Sequence, residues 1–244
     1  AYCSAHDVPE LPLPESAPPE PPTPAVLRDL HAHLDTHARK RAALAEPSYT
    51  TTSMTDAAKQ GATGPAAQQG YAKQFGNALH EVLEQTVMRH PHPPAYSESA
   101  LRQLLLQKDA DPHEFDVLMP ALHRMRDAFL ESPAWQALHD ADTVYTEFPL
   151  SRLASARDDA VVQQGQIDLV YRVGDAWHLV DYKSDRVDTR AQLRTLVDGY
   201  ASQLRLYAAA WRAAVAHPLA TAHLWFADAP RSGLDGWQQV EITE

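Results

Sequence analysis

The chain has 244 residues, 44% of them hydrophobic, and a formal net charge of −11, enough length to bury a sizeable core in one or two domains. The acidic total argues against nucleic-acid binding through the overall field, and the single cysteine, Cys3, excludes an internal disulfide, a four-cysteine zinc site and an iron–sulfur cluster built from this chain alone. No apolar run approaches the roughly 20 residues that span a bilayer, and the start has no basic-then-apolar leader pattern, so a cytoplasmic protein without membrane contact is expected.

In chain order, residues 8–24 are dense in Pro and Glu and read as an extended linker. Leu27, Leu30 and Leu34 recur at near-helical spacing among charges, which predicts a short exposed or docking helix over 25–45. Residues 51–69 are rich in Ser, Thr, Gly, Ala and Gln, offer little to a core and read as a flexible loop. The expected division is 1–70 for linker, short helix and loop, and 71–244 for the folded domain.

From Gln74, Phe75, Leu79, Val82, Leu83 and Val87 mark one face of a helix. His80 and Glu84 sit one turn apart on a neighbouring stripe. His90-Pro91-His92-Pro93-Pro94 stops that helix, because proline cannot continue it. Leu101, Leu104 and Leu105 predict a short helix, and Val117, Leu118, Ala121, Leu122, Met125 and Phe129 a firmer one. Residues 144–150, 161–171 and 177–181 read as three strands of an antiparallel meander, the last two joined by a tight turn at Val173-Gly174-Asp175. Helical period returns over 189–216, with Leu193, Leu196, Tyr200, Leu204 and Tyr207 inward. A buried strand over 222–227 and an edge strand over 237–242 complete the chain. This order predicts an α/β fold with a mixed sheet flanked by helices.

The chemistry concentrates at the ends of two of these strands. Residues two apart on a strand share a face, so Asp181 and Lys183 emerge side by side while Tyr182 points away. A hairpin partner brings Asp168, a carboxylate inside the apolar run Gln166-Ile167-Asp168-Leu169-Val170, to the same end. Two acids and a lysine at a strand end suit a hard divalent cation and phosphodiester hydrolysis. Taken alone, Asp-x-Lys is more often a solvated strand end, and a salt bridge from Asp168 to Arg172 or Lys183 would also compensate its buried charge. Gln203 and Tyr207, one helical turn apart, share a face that fits beside the lysine; the plainer reading is a core tyrosine with a glutamine at its rim. The His80 imidazole can ligate a metal, and Gly76 lets another backbone approach the start of its helix. Between Lys183 and Arg212, six basic residues stand against three acids, and Arg186, Arg190 and Arg194 are candidates for phosphate contacts. His31, His33, His90 and His92 lack the helix spacing of a zinc enzyme and read as surface histidines.

The four motifs in this order resemble the nuclease domain at the C-terminus of the RecB and AddA helicase-nucleases, a branch of the PD-(D/E)XK nuclease superfamily, over about residues 74–227. The resemblance implies a restriction-endonuclease-like mixed sheet flanked by helices, with an N-terminal linker and helical additions. His80, in Gly76 to Glu84, matches the metal-facing histidine of the family, Asp168 in Gly-x-Ile-Asp-Leu its first catalytic aspartate, and Asp181-Tyr182-Lys183 its core, followed by Ser184 and Asp185. Gln203 and Tyr207 match the Gln-x-x-x-Tyr motif, and Glu147 an acidic position before the central hairpin. The implied ligands of Mg2+ or Mn2+ are Asp168, Asp181, the backbone carbonyl of Tyr182 and His80. Lys183 would orient or deprotonate the attacking water, with Gln203 and Tyr207 supporting it. The implied activity is that of a metal-dependent deoxyribonuclease, exonuclease or endonuclease, in DNA end processing and recombinational repair of double-strand breaks, on single-stranded ends delivered by a helicase motor. No Gly-x-x-x-x-Gly-Lys-Ser/Thr loop occurs here, so this chain is not by itself a typical P-loop ATPase. It is either an excised domain, with the motor in the same parent chain or complex, or a stand-alone nuclease, and the excised domain is the expectation because Cys3 and its neighbours do not read as a natural start. The rival reading is a catalytically silent nuclease-like module for DNA binding or subunit docking.

Overall fold

The structure, a computed structural model, describes residues 23–45, 49–61, 73–155, 160–215 and 217–242. Most of the Pro-rich stretch expected as a linker lies outside the described residues. The chain divides into two units, Ala1–Ser48 and Tyr49–Glu244. In the first, the expected helix is α1 (Pro24–Ala45), whose described side chains are exposed, Leu34 among them.

The second unit departs from the expected loop at its start. Residues 51–69 are not simply a loop, because Tyr49–Ser53 forms strand β1 and Met54–Gly61 helix α2, while residues 62–69 lie outside the described residues. Both elements belong to the unit Tyr49–Glu244. The physical reason lies in residue types that a count of large apolar groups undervalues. Tyr49-Thr50-Thr51-Thr52 is rich in strand-favouring residues, and the Ser53 hydroxyl accepts the N–H groups of Thr55 and Asp56 at 3.1 and 3.4 Å, an N-cap. Met54 and Ala58, one turn apart, provide the buried face.

Helices α3 (Lys73–Met88), α4 (Glu98–Gln107), α5 (Phe115–Leu130) and the short α6 (Pro133–Ala137) follow. Then come strands β2 (Thr143–Ser155), β3 (Ala160–Val173) and β4 (Ala176–Lys183), helix α7 (Arg190–Ala214), and strands β5 (Leu219–Phe226) and β6 (Trp237–Val240). The expected meander is present, since β2 and β4 each pair antiparallel with β3. The tight turn holds Gly174 at φ 58°, a conformation glycine adopts without strain. β5 runs parallel to β4 and β6 antiparallel to β5. A parallel pair needs a long crossover, and α7 supplies it. β1 pairs parallel with Ala160 to Gln164 of β3. Because β2 lines β3 from Val161 to Arg172, β1 and β4 must share the opposite edge of β3, one along each half. No helix among the described residues is long and apolar enough to cross a membrane.

Helices cover both faces of this sheet. On one face Leu169, Tyr171, Val180, Tyr182 and Trp225 pack with α3 to α6; on the other Ile167, Val170, Leu179 and Leu224 pack with Met54 of α2 and Leu204, Tyr207 and Trp211 of α7. Burial on two faces explains why central strands read as continuous apolar runs. Within β3 the alternation is broken between Ile167 and Leu169. Ile167 faces α7, Leu169 the opposite layer, and Val170 α7 again, whereas regular pleating would put Ile167 and Leu169 on one face. β2 breaks beside it: Tyr145 stacks on Trp177 and Phe148 packs at a tilt against Trp211, both tryptophans of the α7-side layer although the two residues are three apart. Thr146 pairs with Leu169 and Phe148 with Ile167, so each strand carries one residue at the slip. Those residues are Glu147, at φ 49°, and Asp168.

Candidate active site

The slip brings two carboxylates together, and α3 adds a third group. Phe75, Ala78, Leu79 and Val82 bury the core face of α3, which leaves His80 on the adjoining stripe, edge-on to the Tyr182 ring at 5.9 Å. His80 Nδ1 lies 3.1 Å from Asp168 Oδ1 and 4.0 Å from Glu147 Oε1. Ligating atoms of His80, Glu147 and Asp168 all fall within 4.8 Å of one another. Asp168 is buried, and its Oδ2 accepts the backbone N–H of Tyr182. The carbonyl of Tyr182 shares that strand edge with its N–H, because both main-chain groups of one strand residue point the same way. Gly76 is tight against a side chain rather than a backbone: a Cβ there would stand 3.2 Å from Ser184 Oγ.

The charges of this cluster act on one another. Burial, the largest single influence, would lower the His80 pKa, but attraction to Asp168, the hydrogen bond with it and attraction to Asp181 together push it up to about 9. Burial, then repulsion from Asp168, pushes Glu147 up to about 7. Asp168 is thus compensated by His80, and neither Arg172 nor Lys183 is its ion-pair partner; the Arg172 guanidinium lies over Trp177, 5.8 Å from the ring centroid.

A second row adjoins the first. Asp181 and Lys183 do emerge together, with Nζ 2.5 Å from Asp181 Oδ2. Lys183 also donates to Gln203 Oε1 at 3.2 Å and lies 4.2 Å from the centroid of the Tyr200 ring. Burial would lower the lysine pKa, yet Asp181 and then Asp168 raise it above the ordinary value, so the group is an ammonium. Burial and Asp168 raise the pKa of Asp181, with Lys183 opposing them. Gln203 is oriented by its amide, which donates to Tyr207 Oη at 2.8 Å and to Thr55 Oγ1 at 3.0 Å.

Of the residues expected from the sequence, His80 and Asp168 meet in the first row and Asp181, Lys183, Gln203 and Tyr207 in the second. Asp181 is engaged by Lys183 rather than grouped with the three close ligands. Arg186 pairs with Asp188 at 3.1 Å, and Arg190 and Arg194 are exposed in the first turns of α7. Arg190 and Arg194 are thus placed on the surface beside the strand exit, outside both rows. Thr55 was hidden by the loop reading of its stretch; Ser53 followed by an acid in the next turn is the capping signal that marks its helix. Glu147 enters the first row as a full member. His90, expected on the surface, is partly buried edge-on to Trp135 at 4.7 Å.

An imidazole and two carboxylates, one of them buried, are donors that Mn2+ and Mg2+ accept, so the residues present fit a divalent cation. The sequence model of the PD-(D/E)XK nuclease superfamily matches residues 56–242. The chain is also similar to proteins named as ATP-dependent helicase/nuclease subunits. That of Heliobacterium modesticaldum is 35% identical over 92 residues, 32% of this chain and 7% of that protein. Those of Bacillus licheniformis and Listeria welshimeri are 28% and 27% identical over 181 and 176 residues, in each case 64% of this chain and 14% of the relative. The chain therefore spans a small part, 7% to 14%, of the length of these relatives.

Proposed function

Since the chain belongs to the PD-(D/E)XK nuclease superfamily, we propose that it is a divalent-metal-dependent deoxyribonuclease. The observation that carries this reading is the convergence of His80, Glu147 and Asp168 within 4.8 Å beside the Asp181–Lys183–Gln203 row. His80, Glu147 and Asp168 would hold Mg2+ or Mn2+, joined by Asp181 and the Tyr182 carbonyl. When bound there, such an ion supplies Lewis-acid polarisation of the scissile phosphate and an acidified water. Lys183 acts as a fixed cation facing the charge that develops on phosphate, because its neighbours keep it protonated. Gln203, held by Thr55 and Tyr207, fixes the aim of that cation. Arg190 and Arg194 serve as phosphate contacts along the strand.

The relatives are named as helicase/nuclease subunits and are far longer than this chain. We infer that a motor in the same assembly delivers single-stranded ends to the site, in DNA end processing and recombinational break repair. The rival, a module that binds DNA or a partner protein without cutting, draws on one observation: Asp181 is engaged by Lys183 at 2.5 Å. Cleavage of linear and circular single-stranded DNA by the 244-residue chain in Mg2+, Mn2+ and EDTA separates the two, with Asp168→Asn and Asp181→Ala as controls. Loss of about a hundredfold or more in each variant is expected. Binding of Mn2+ without cleavage by the unaltered chain supports the rival.

A further inference from the structure

A lysine side chain has four rotatable bonds, so the direction of its charge must be fixed by neighbours. Asp181 and Gln203 hold the Lys183 ammonium from two sides. The third side is an aromatic face, with Nζ 4.2 Å from the Tyr200 centroid. Such a face attracts a cation through the ring quadrupole and also blocks the rotamers that would swing it aside. The ring is itself held: its hydroxyl donates to Asp185 Oδ2 at 3.0 Å, and its body packs on Phe226 with centroids 6.2 Å apart. Tyr200 and Gln203 are three residues apart on α7 and share a helix face, so one helix presents both groups to the lysine. Asp185 lies just beyond the end of β4.

We propose that Tyr200, anchored by Asp185, is a positioning residue that aims the Lys183 ammonium at the reacting phosphate. The proposal rests on the reading of Lys183 as the catalytic lysine and extends it. Tyr200 touches neither phosphate nor ion; it acts through the lysine. The anchor ties the segment leaving β4 to the middle of α7, so the aim of the lysine is set by two elements at once.

The test joins kinetics to a spectroscopic signature. Protons above a ring face are shifted upfield, and the chain has only five lysines, so carbon-labelled lysine resolves the Lys183 ε-methylene signal, assigned by Lys183→Arg. The unaltered chain is expected to show that signal upfield of the other four. Tyr200→Leu should lose the shift and about tenfold in single-turnover rate at saturating DNA, with KM nearly unchanged. Tyr200→Phe keeps the face and should retain the shift and a rate within about threefold of the unaltered chain. Asp185→Ala should weaken both in parallel. An unshifted signal in the unaltered chain overturns the proposal even if Tyr200→Leu fails to fold, and so does full cleavage rate in a folded Tyr200→Leu. A shifted signal in a chain that fails to cut DNA in either Mg2+ or Mn2+ overturns instead the nuclease reading, and with it the catalytic purpose of the clamp.

Discussion

At Gly165 a single hydrogen occupies the space next to Tyr207. A Cβ there would stand 2.5 Å from Tyr207 Cε1 and 3.1 Å from Met54 Sδ. Gly165→Ala is therefore expected to cost about 1–3 kcal/mol through overpacking. It should also lower the cleavage rate several-fold, because the displaced Tyr207 hydroxyl is a partner of Gln203. Urea midpoints and initial rates check the two effects; an unchanged midpoint would show that the ring yields freely. The glycine of Gly-x-Ile-Asp-Leu was visible in the sequence, but its reason was not, since the contact joins residues 42 positions apart through a helix packed on the strand. The same limit applied to Asp168. A buried acid demanded a partner, and only the fold selects His80 over Arg172 or Lys183.

Among the elements, the long helices and the hairpin strands were legible because their apolar period is strong. β1 and α2 were not, because Thr-rich strands and Ala-rich helices bury little surface of their own and gain stability from what they dock on. The β5–β6 edge carries a pH dependence that the sequence could not indicate. His223 on β5 is 8% exposed, stacks on Trp237 of β6 at 4.3 Å, and has a buried Nδ1 without a hydrogen-bond partner among the described residues. Burial, and then His178, pull its pKa down from the usual 6.5 to about 4. Between those two values the unfolded chain binds a proton that the folded chain refuses. Stability from this group is complete above pH 6.5 and is lost as the pH falls towards 4. Allowing for partial solvent screening, the loss is on the order of 2 kcal/mol. Denaturation across this range should show a shallower slope in His223→Gln, and an identical slope would remove His223 as the source.

For the sheet-bearing unit as a whole, the clustered acids are expected to make the fold sensitive to cations. A ligand that binds only the native state at a hundred times its Kd adds about 2.7 kcal/mol, which for a unit of this size raises Tm by roughly 5–10 °C. Mn2+ is expected to produce such a shift, EDTA to reverse it, Asp168→Ala to abolish it and Glu147→Ala to reduce it. An equal shift in Asp168→Ala would place the ion elsewhere. The α/β class, the meander and the order of motifs were readable at this scale from the sequence. The sharing of one β3 edge by β1 and β4 was not, because register and edge occupancy leave no mark in composition or period.

The paired slip at Glu147 and Asp168 also bears on how such a chain can be inherited. Deleting one residue from either strand alone would turn every later side chain of that strand to the wrong face, whereas deleting both would restore regular pleating and remove both acids. Length changes in β2 and β3 are thus bound to one another across the hairpin. At this point a residue lost from one strand must be matched by a residue lost from the other if both strands are to keep their faces, whereas either acid can be substituted without any change of length.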